Sequence, residues 1–273
     1  MGDEPMIYHN AFKDKEKVHV AVCESRRKGI SELGKLTPQP DVILLDDAFQ
    51  HWKVKAGLEI VLSDYYHPFY KDRLLPIGRL REPRKAAGRA DLLVISKSPK
   101  VLSPLIEKEI SENARRYFGR NMYFSYLNYR GFKPLYADSL VSEMPDNIYA
   151  AFILAGIANP YPLEEKIRGM SVEIEQHYYP DHHAFTEKEI DKLVESYNAH
   201  VSQKKVIITT EKDAQRLQDV LYQKKLIDLP VFFVPIEVCF HQKRNNLFNF
   251  DQYILDYVGK NSRDHSIHSK ADQ

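Results

Sequence analysis

The chain has 273 residues, of which 43% are hydrophobic and 11% aromatic, enough to bury the core of one large or two small domains. Its 39 basic and 38 acidic residues leave a formal charge of +1, so bulk electrostatics does not favour a nucleic-acid binder. With two cysteines and no charged-then-apolar leader, a secreted disulfide scaffold is not expected, and the composition fits a reducing cytoplasm.

Short apolar runs rich in β-branched residues recur along the chain and predict strands. These runs are residues 18–23, 42–45, 59–62, 92–95, 151–154, 205–208 and 231–234. Helix-length amphipathic segments separate several of them, which is typical of a mostly parallel sheet covered by helices on both faces. The predicted fold class is therefore α/β. The longest apolar stretch, residues 149–158, is about half of the ~20 residues that a membrane span requires, and it is interpreted as a buried strand.

Two helix starts are marked by threonines. Thr186 and Glu189 form a T-x-x-E capping box at the head of a segment from about Glu187 whose apolar residues fall on one face. A second helix is predicted after Thr210, with Asp213 in the corresponding third position. Capping accounts for both residues without any ligand.

A long segment, residues 64–90, has prolines and basic clusters but neither helical nor strand periodicity. A loop of this length inside a compact domain is usually functional or disordered. Its arginines are interleaved with leucines and tyrosines, which favours a binding loop. Residues 65–71 combine aromatic and basic side chains, and we consider them a candidate for membrane contact.

Polar and turn-forming residues cluster between Ser139 and Asn147, where we place a boundary between two subdomains. The first, residues 1–140, would hold the nucleotide and magnesium part and the loop 64–90. The second, residues 141–259, would be a smaller α/β subdomain. Residues 260–273 are polar and are predicted to be a disordered tail.

The strongest local motif is an apolar run that ends in two adjacent acids, Asp46 and Asp47. This is the form of a Walker B strand, whose terminal carboxylate holds Mg²⁺ near nucleotide phosphates. Taken alone, capping of a buried strand explains the acids equally well. The following residues, Ala-Phe-Gln-His at 48–51, make the segment more specific.

The segment 46–51, Asp-Asp-Ala-Phe-Gln-His, followed by Leu-Pro-Ile-Gly-Arg-Leu-Arg-Glu-Pro at 75–83, resembles the paired signature of the tetraacyldisaccharide 4'-kinases. Further matches run in family order along the chain. They are Gly-Asp-Glu-Pro at 2–5, Arg26, Ala-Gly-Ile-Ala at 155–158, Pro-Asp-His-His-Ala-Phe at 180–185 and Thr-Thr-Glu-Lys-Asp-Ala at 209–214. The resemblance implies a P-loop-kinase-like fold and phosphate transfer from ATP to the 4'-hydroxyl of an acylated glucosamine disaccharide 1-phosphate in lipid A biosynthesis.

One departure from the family pattern concerns the phosphate-binding loop. No G-x-x-x-x-G-K-[ST] occurs in the 273 residues, whereas the family has such a loop ahead of its Gly-Asp-Glu-Pro motif. We expect little turnover from these residues alone. One hypothesis is a complete kinase whose coding region starts further upstream. The alternative is a catalytically silent glycolipid-binding fragment, or half of a split kinase that acts with a separate chain carrying the P-loop.

The resemblance assigns catalytic roles to Asp3, His182 and Asp47. Asp3 matches the base that accepts the hydroxyl proton, and His182 matches its histidine partner, which would orient and tune the carboxylate. Without the family match, Asp3 is a terminal acid and His182 belongs to a loop before a helix. We predict that Asp3 and His182 lie within one hydrogen bond or one bridging water.

The resemblance also implies sites for ATP, Mg²⁺ and the glycolipid. Asp46 and Gln50 are the expected magnesium ligands, and Asp47 is expected to bind the ion directly or to support a ligand from behind. Arg81 and Glu82 are assigned to the nucleotide, although Arg81 and Arg79 could bind either its phosphates or the 1-phosphate of the substrate. Arg26 and His51 are candidate substrate contacts. Lys212 is a candidate nucleotide contact, for which helix capping remains the favoured interpretation of its segment.

The partners implied are an acylated disaccharide 1-phosphate and the inner-membrane surface, with no nucleic acid. We expect a cytoplasmic protein that is peripheral to the inner membrane of a Gram-negative-type bacterium. Neither cysteine has a partner at the spacing of a zinc site, so zinc is not expected.

Overall fold

A computed structural model describes residues 3–242 and 249–262 of the chain. Its helices are α1 (Asp3–Phe12), α2 (Arg26–Leu33), α3 (Pro104–Arg115), α4 (Tyr161–Arg168), α5 (Glu187–Ala199), α6 (Glu211–Arg216), α7 (Val220–Leu226) and α8 (Phe250–Ser262). Its strands are β1 (Ile60–Asp64), β2 (Leu92–Ser96), β3 (Asn121–Tyr129), β4 (Lys133–Pro134), β5 (Ile148–Ala155), β6 (Ser171–Tyr178), β7 (Lys205–Thr210), β8 (Val231–Val234) and β9 (Ile236–Phe240). A 3₁₀ helix covers Arg84–Arg89.

The chain divides into two compact units. Unit one comprises Met1–Val20 and Tyr129–Glu237, and unit two comprises Ala21–Asn128 and Val238–Gln273. The chain therefore enters unit two near residue 21, leaves it near residue 129 and returns at residue 238. The polar cluster 139–147, where we predicted a boundary, lies inside unit one and follows the observed crossing.

Unit two is built on a four-stranded sheet with the order β1-β2-β3-β9. The pairs β1–β2 and β2–β3 are parallel, so their carboxyl ends share one edge. Leu93 and Ile95 of β2 pack with α3 on one face, whereas Leu92 and Val94 pack with α8 on the other. This alternation follows from the two-residue period of a strand, and it explains why β2 is apolar at nearly every position.

Unit one is built on a five-stranded sheet with the order β4-β8-β7-β5-β6. Only β4 runs antiparallel to its neighbour among the paired strands described. Strand β5, which lies between β7 and β6, places Phe152 and Leu154 in a core with α5, and Ile153 in a second core with α4. Helices thus cover both faces of a mostly parallel sheet, and the predicted α/β class is confirmed.

Five predicted strands are confirmed as β1, β2, β5, β7 and β8, and the capping box of Thr186 forms as predicted at the start of α5. The alternating strand β6 and the aromatic strand β3 were not predicted. Residues 263–273 of the predicted tail lie outside the described residues, whereas Lys260 and Asn261 belong to α8.

The predicted strands 18–23 and 42–45 are wrong. Neither segment forms strand pairing within the described residues, and the Leu44 side chain is 89% exposed. A strand exists only where a neighbouring strand accepts and donates its backbone hydrogen bonds. An apolar run does not contain that information, so Asp46 and Asp47 follow an unpaired segment and not the end of a sheet strand.

Candidate functional site

The acid pair in unit two lies on an exposed turn. Asp46 and Asp47 are both exposed, and the Asp47 backbone has φ 45°. Positive φ is uncommon outside glycine, although aspartate tolerates it better than most residues, and such backbone conformations concentrate at functional sites. The chain then turns, with the His51 amide donating to the Ala48 carbonyl at 2.9 Å. Gln50 is half-buried and His51 is exposed.

Two arginines contact the acid pair. Arg81 of the long loop places Nη1 at 3.1 Å from Asp47 Oδ2, although the two residues are 34 positions apart in sequence. Arg26, at the first position of α2, donates from Nη2 to the Asp46 carbonyl and from Nη1 to the Cys23 carbonyl, both at 3.4 Å. Arg26 and Arg81, which were assigned from separate motifs, therefore both contact the acid pair. Each keeps N–H donors that could bind an anion.

Arg89 ties the long loop to the turn that follows the acids. Its Nη1 lies 2.6 Å from Glu82 Oε2, and its Nη2 donates to the Phe49 carbonyl at 3.3 Å. The guanidinium also lies over the rings of Phe49 and Trp52, at 4.6 and 4.3 Å from their centroids. The hydrogen bond to Glu82 raises the already high pKa of Arg89, so this cation is permanent. Arg89 was not among the residues assigned from sequence.

We predict that Arg89→Met lowers the free energy of unfolding of unit two by about 2 kcal/mol, because hydrogen bonds to charged groups contribute about 1.5–3 kcal/mol. Urea unfolding with matched slopes would measure it. Lys85→Met is the control, since Lys85 is exposed in the same 3₁₀ helix. Equal losses in both variants would show that Arg89 does not link the loop to the turn.

Arg79 contacts the loop itself and not the acid pair. Its Nε lies 3.3 Å from Asp72 Oδ2, while Asp72 Oδ1 accepts the amides of Arg73 and Arg79 at 2.8 and 3.2 Å. These backbone hydrogen bonds lower the pKa of Asp72 below its usual value, with the charge of Arg79 adding to the effect. Arg79 therefore has an observed structural role in closing the loop. Its role as a substrate contact stays a prediction.

The donors near the acid pair fit Mg²⁺, which takes oxygen ligands and is commonly held by one or two carboxylates together with phosphates and waters. Asp46 is exposed and supplies such oxygens, and Gln50 carries an amide oxygen. Glu82 Oε1 is buried and has no hydrogen-bond partner in the described part of the chain. No group of three metal-binding side chains occurs there either, so these residues do not enclose a cation by themselves.

Unit one carries a second cluster near the carboxyl ends of β6 and β7. Lys212 Nζ lies 2.8 Å from Asp181 Oδ1 and 3.3 Å from His182 Nε2. His182 has φ 61°. The hydrogen bond and the charge of Lys212 lower the pKa of Asp181, against the opposing effect of burial, so Asp181 is an anion at neutral pH. Two residues assigned from separate motifs, His182 and Lys212, therefore share one site.

Asp213 organises the ends of the central strands in unit one. Its carboxylate is fully buried. It accepts hydrogen bonds from the Gly156 amide at 2.9 Å and from the Thr210 hydroxyl at 2.7 Å, and it pairs with Arg216 at 2.9 Å. The predicted cap is confirmed, because Asp213 N donates to Thr210 Oγ1 at 3.0 Å, but the carboxylate also joins β5 to β7. A Cβ at Gly156 would lie 3.2 Å from Asp213 Oδ1, so glycine permits the close approach.

Asp3 is the first residue of α1, and its side chain lies outside what the structure describes. Helix α1 packs on α6 within unit one, and α6 carries Lys212, the neighbour of His182. The predicted proximity of Asp3 and His182 stays a prediction.

Sequence reasoning also missed a charged pair at the carboxyl edge of the unit-two sheet. Lys97 directly follows β2, has φ 58° and places Nζ at 3.2 Å from Asp64 Oδ2 at the end of β1. Burial raises the pKa of Asp64, but the hydrogen bond and charge of Lys97, together with the backbone amides of Tyr66 and His67, outweigh it and lower the pKa overall. The signal was available, because a lysine follows the apolar strand 92–95 at the edge where α/β sheets bind ligands.

Comparison with known proteins decides the family. The family model described as tetraacyldisaccharide-1-P 4'-kinase matches residues 1–252. The chain belongs to this family. Among curated family members, the tetraacyldisaccharide 4'-kinase of Phocaeicola vulgatus is 36% identical over 268 residues, which are 96% of this chain and 72% of that protein. The tetraacyldisaccharide 4'-kinase of Bacteroides thetaiotaomicron is 34% identical over 277 residues, 98% of this chain and 72% of that protein.

One solved structure supports the fold of this family member. The crystal structure of the "apo" form of LpxK from Aquifex aeolicus in complex with ATP superimposes with a TM-score of 0.51 at 22% identity. The match covers 85% of this chain, which spans about 60% of the length of the solved one. In the part of the chain that the structure describes, no helix is both long and apolar enough to cross a membrane.

Proposed function

We propose that this protein transfers the γ-phosphate of ATP to the 4'-hydroxyl of an acylated glucosamine disaccharide 1-phosphate. Family membership supports the reaction. The observation that carries the site assignment is the exposed acid pair with Arg81 at 3.1 Å from Asp47, because it joins the two parts of the family signature. Phosphate transfer requires positioning and charge stabilisation more than covalent chemistry by the protein.

We assign Asp46 and Gln50 as the magnesium ligands, with Asp47 as a catalytic carboxylate that pairs with Arg81. Bound Mg²⁺ would neutralise charge on the phosphate oxygens. Arg81, released from Asp47 or shared with it, has the fork of N–H donors that matches phosphate oxygens. Glu82 keeps one buried carboxylate oxygen without a partner among the described residues, which supports its assignment to the nucleotide site.

We assign the acceptor chemistry to Asp3, with His182 as its partner. The neighbours of His182 support this role. Asp181 is ionised, and Lys212 Nζ contacts both Asp181 and His182, so the histidine lies beside charged groups that can orient its ring. Lys212 itself remains the proposed nucleotide contact, and Arg26, His51 and Arg79 remain proposed substrate contacts.

The 273 residues contain no G-x-x-x-x-G-K-[ST], so the roles assigned to this chain do not include the phosphate-cradling loop. We also propose that the protein works at the inner-membrane surface, because its proposed acceptor is an acylated glycolipid. Neither a membrane span nor a nucleic-acid partner is part of the proposal.

The test is transfer of radiolabelled phosphate from ATP to the acylated disaccharide, using protein produced from its complete gene. The expected product carries a new 4'-phosphate, and a disaccharide whose 4'-hydroxyl is already phosphorylated gives none. Binding of the disaccharide without any transfer would contradict the proposal and favour the silent glycolipid-binding alternative.

A further inference from the structure

The middle of the long loop 64–90 in unit two forms a tip, residues 71–80, whose aliphatic side chains face solvent. Leu75 and Ile77 are 61% and 78% exposed, and Leu74 is 44% exposed. Pro76 between them is exposed as well. Single exposed apolar residues are ordinary on a protein surface, but three on one short tip form a patch, and such patches mark binding surfaces.

The aromatic residues that precede the tip are not available for this purpose. Tyr70 is buried in the core of unit two, and Tyr65 and Phe69 pack against the same core. Of the four aromatics in the segment 65–71, which we considered from sequence as a membrane contact, only Tyr66 is exposed. In the folded chain, the exposed apolar side chains of this loop therefore lie mainly in the tip 71–80 and not in the segment 65–71.

The tip is closed by its own hydrogen bonds. The Leu80 amide donates to the Arg73 carbonyl and the Leu75 amide to the Leu80 carbonyl, both at 3.0 Å. A Cβ at Gly78 would lie 2.3 Å from the Arg73 oxygen and 2.5 Å from Asp72 Oδ1, so this closure requires glycine. The aliphatic side chains are thus held outward by a preformed loop, which lowers the entropic cost of using them in binding.

Basic residues surround the patch. Lys71, Arg73 and Arg79 are exposed, and Asp72, the acid among them, is already paired with Arg79 at 3.3 Å. Long basic side chains can lay their apolar stems along an interface and keep their charges at the level of anionic headgroups. The combination of aliphatic centre and basic border complements an anionic lipid bilayer, which is apolar inside and negative at its surface.

We propose that the tip, residues 71–80, inserts into the surface of an anionic lipid bilayer. This proposal rests on the proposed function in one respect, which is that the proposed acceptor is an acylated glycolipid. Leu75 and Ile77 enter the acyl boundary, while Lys71 and Arg73 remain with the headgroups. Arg81 follows the tip in sequence and lies 3.1 Å from Asp47, so insertion of the tip would bring the acid pair near the membrane surface.

Co-sedimentation with vesicles tests the proposal, with phosphatidylglycerol-containing vesicles compared with pure phosphatidylcholine. The wild-type protein is expected to bind the anionic vesicles more strongly, and added salt is expected to weaken that binding. Leu75→Ser with Ile77→Ser should reduce the bound fraction about tenfold or more, because two aliphatic side chains no longer leave water. The matched control is Val101→Ser with Leu105→Ser, two residues of unit two that are 89% and 79% exposed, which should bind like the wild type.

A fluorescence measurement gives independent evidence. In Ile77→Trp, the added emission is expected to shift to shorter wavelength when anionic vesicles are present, whereas Val101→Trp should show no such shift relative to the wild-type signal of Trp52. The substitutions are at exposed positions, so circular dichroism should confirm that all variants fold.

Equal vesicle binding by the tip variant and the wild type, or no binding by either, would overturn the proposal. The proposal would also be overturned if the tip variant lost activity on detergent-dispersed substrate but bound vesicles like the wild type. That result would indicate that the tip contacts the acyl chains of a single substrate molecule. Because vesicle binding needs no turnover, an inactive protein that still binds through its tip would contradict the proposed function and leave this inference intact.

Discussion

Asp46→Asn is expected to lower the rate of phosphate transfer by roughly a hundredfold to a thousandfold, because it weakens the site for the cation that neutralises the transferring phosphate. It should also raise the magnesium concentration needed for half-maximal rate. Asp46 is exposed on the turn after residues 42–45, and it accepts the Arg26 hydrogen bond through its backbone carbonyl, which Asn keeps, so stability should change little. The measurement is the initial rate against magnesium concentration at saturating ATP, made with protein produced from its complete gene.

Asp41→Asn is the matched control for this prediction. Asp41 is also exposed and lies five positions earlier on the same segment, so it tests loss of an acid without loss of the proposed ligand. A control variant as slow as Asp46→Asn would show that general electrostatics, and not a metal site at Asp46, causes the effect. Asp47→Asn should also slow transfer, but through Arg81, so its magnesium dependence should resemble that of the wild type.

Asp213→Ala is expected to lower the free energy of unfolding of unit one by about 3–5 kcal/mol, since it removes the buried carboxylate that pairs with the nearly buried guanidinium of Arg216. The Arg216 side chain is 10% exposed and that of Asp213 is not exposed at all. The Gly156 amide and the Thr210 hydroxyl lose their acceptor at the same time. Each unsatisfied buried group adds to the cost. Urea unfolding followed by circular dichroism measures the effect.

Asp219→Ala supplies the comparison for Asp213→Ala. Asp219 is an exposed aspartate at the head of α7 that accepts the Leu221 amide at 2.9 Å, and loss of such a cap costs about 1 kcal/mol. Asp213→Asn should fall between the two, because an amide keeps an acceptor but removes the charge facing Arg216. If Asp213→Ala is no more destabilising than Asp219→Ala, the buried network does not hold β5 to β7 as described.

Patterns that depend on neighbours in sequence were sufficient for much of the fold. The runs at 92–95 and 206–208 are apolar, as expected of strands whose two faces are both covered, and they lie in β2 and β7. Thr186 and Glu189 cap α5 through groups three residues apart, which needs no tertiary contact. The family signature at 46–51 and 75–83 identified the chain, and Arg81 of the second motif does meet Asp47 of the first.

Interactions between distant residues were decided only by the tertiary structure. The run 42–45 has strand composition, yet within the described residues no strand pairs with it, because pairing depends on what lies beside a segment in space. In the sequence nothing distinguishes Arg89 from the other arginines of its loop. In the folded chain it pairs with Glu82 and lies over the rings of Phe49 and Trp52.

Burial is the other property that sequence left open. The sequence predicted Asp213 as part of a helix cap. Its burial, and its contacts with the Gly156 amide and with Arg216, depend on the packing of β5 beside β7. Tyr70 and Leu75 lie in one continuous loop of similar composition, but the first enters the core and the second faces solvent. Residue type and spacing therefore determined the family, the main strands and the helix starts. The partners and exposure of the site residues required the folded chain, because both are set by contacts between segments far apart in sequence.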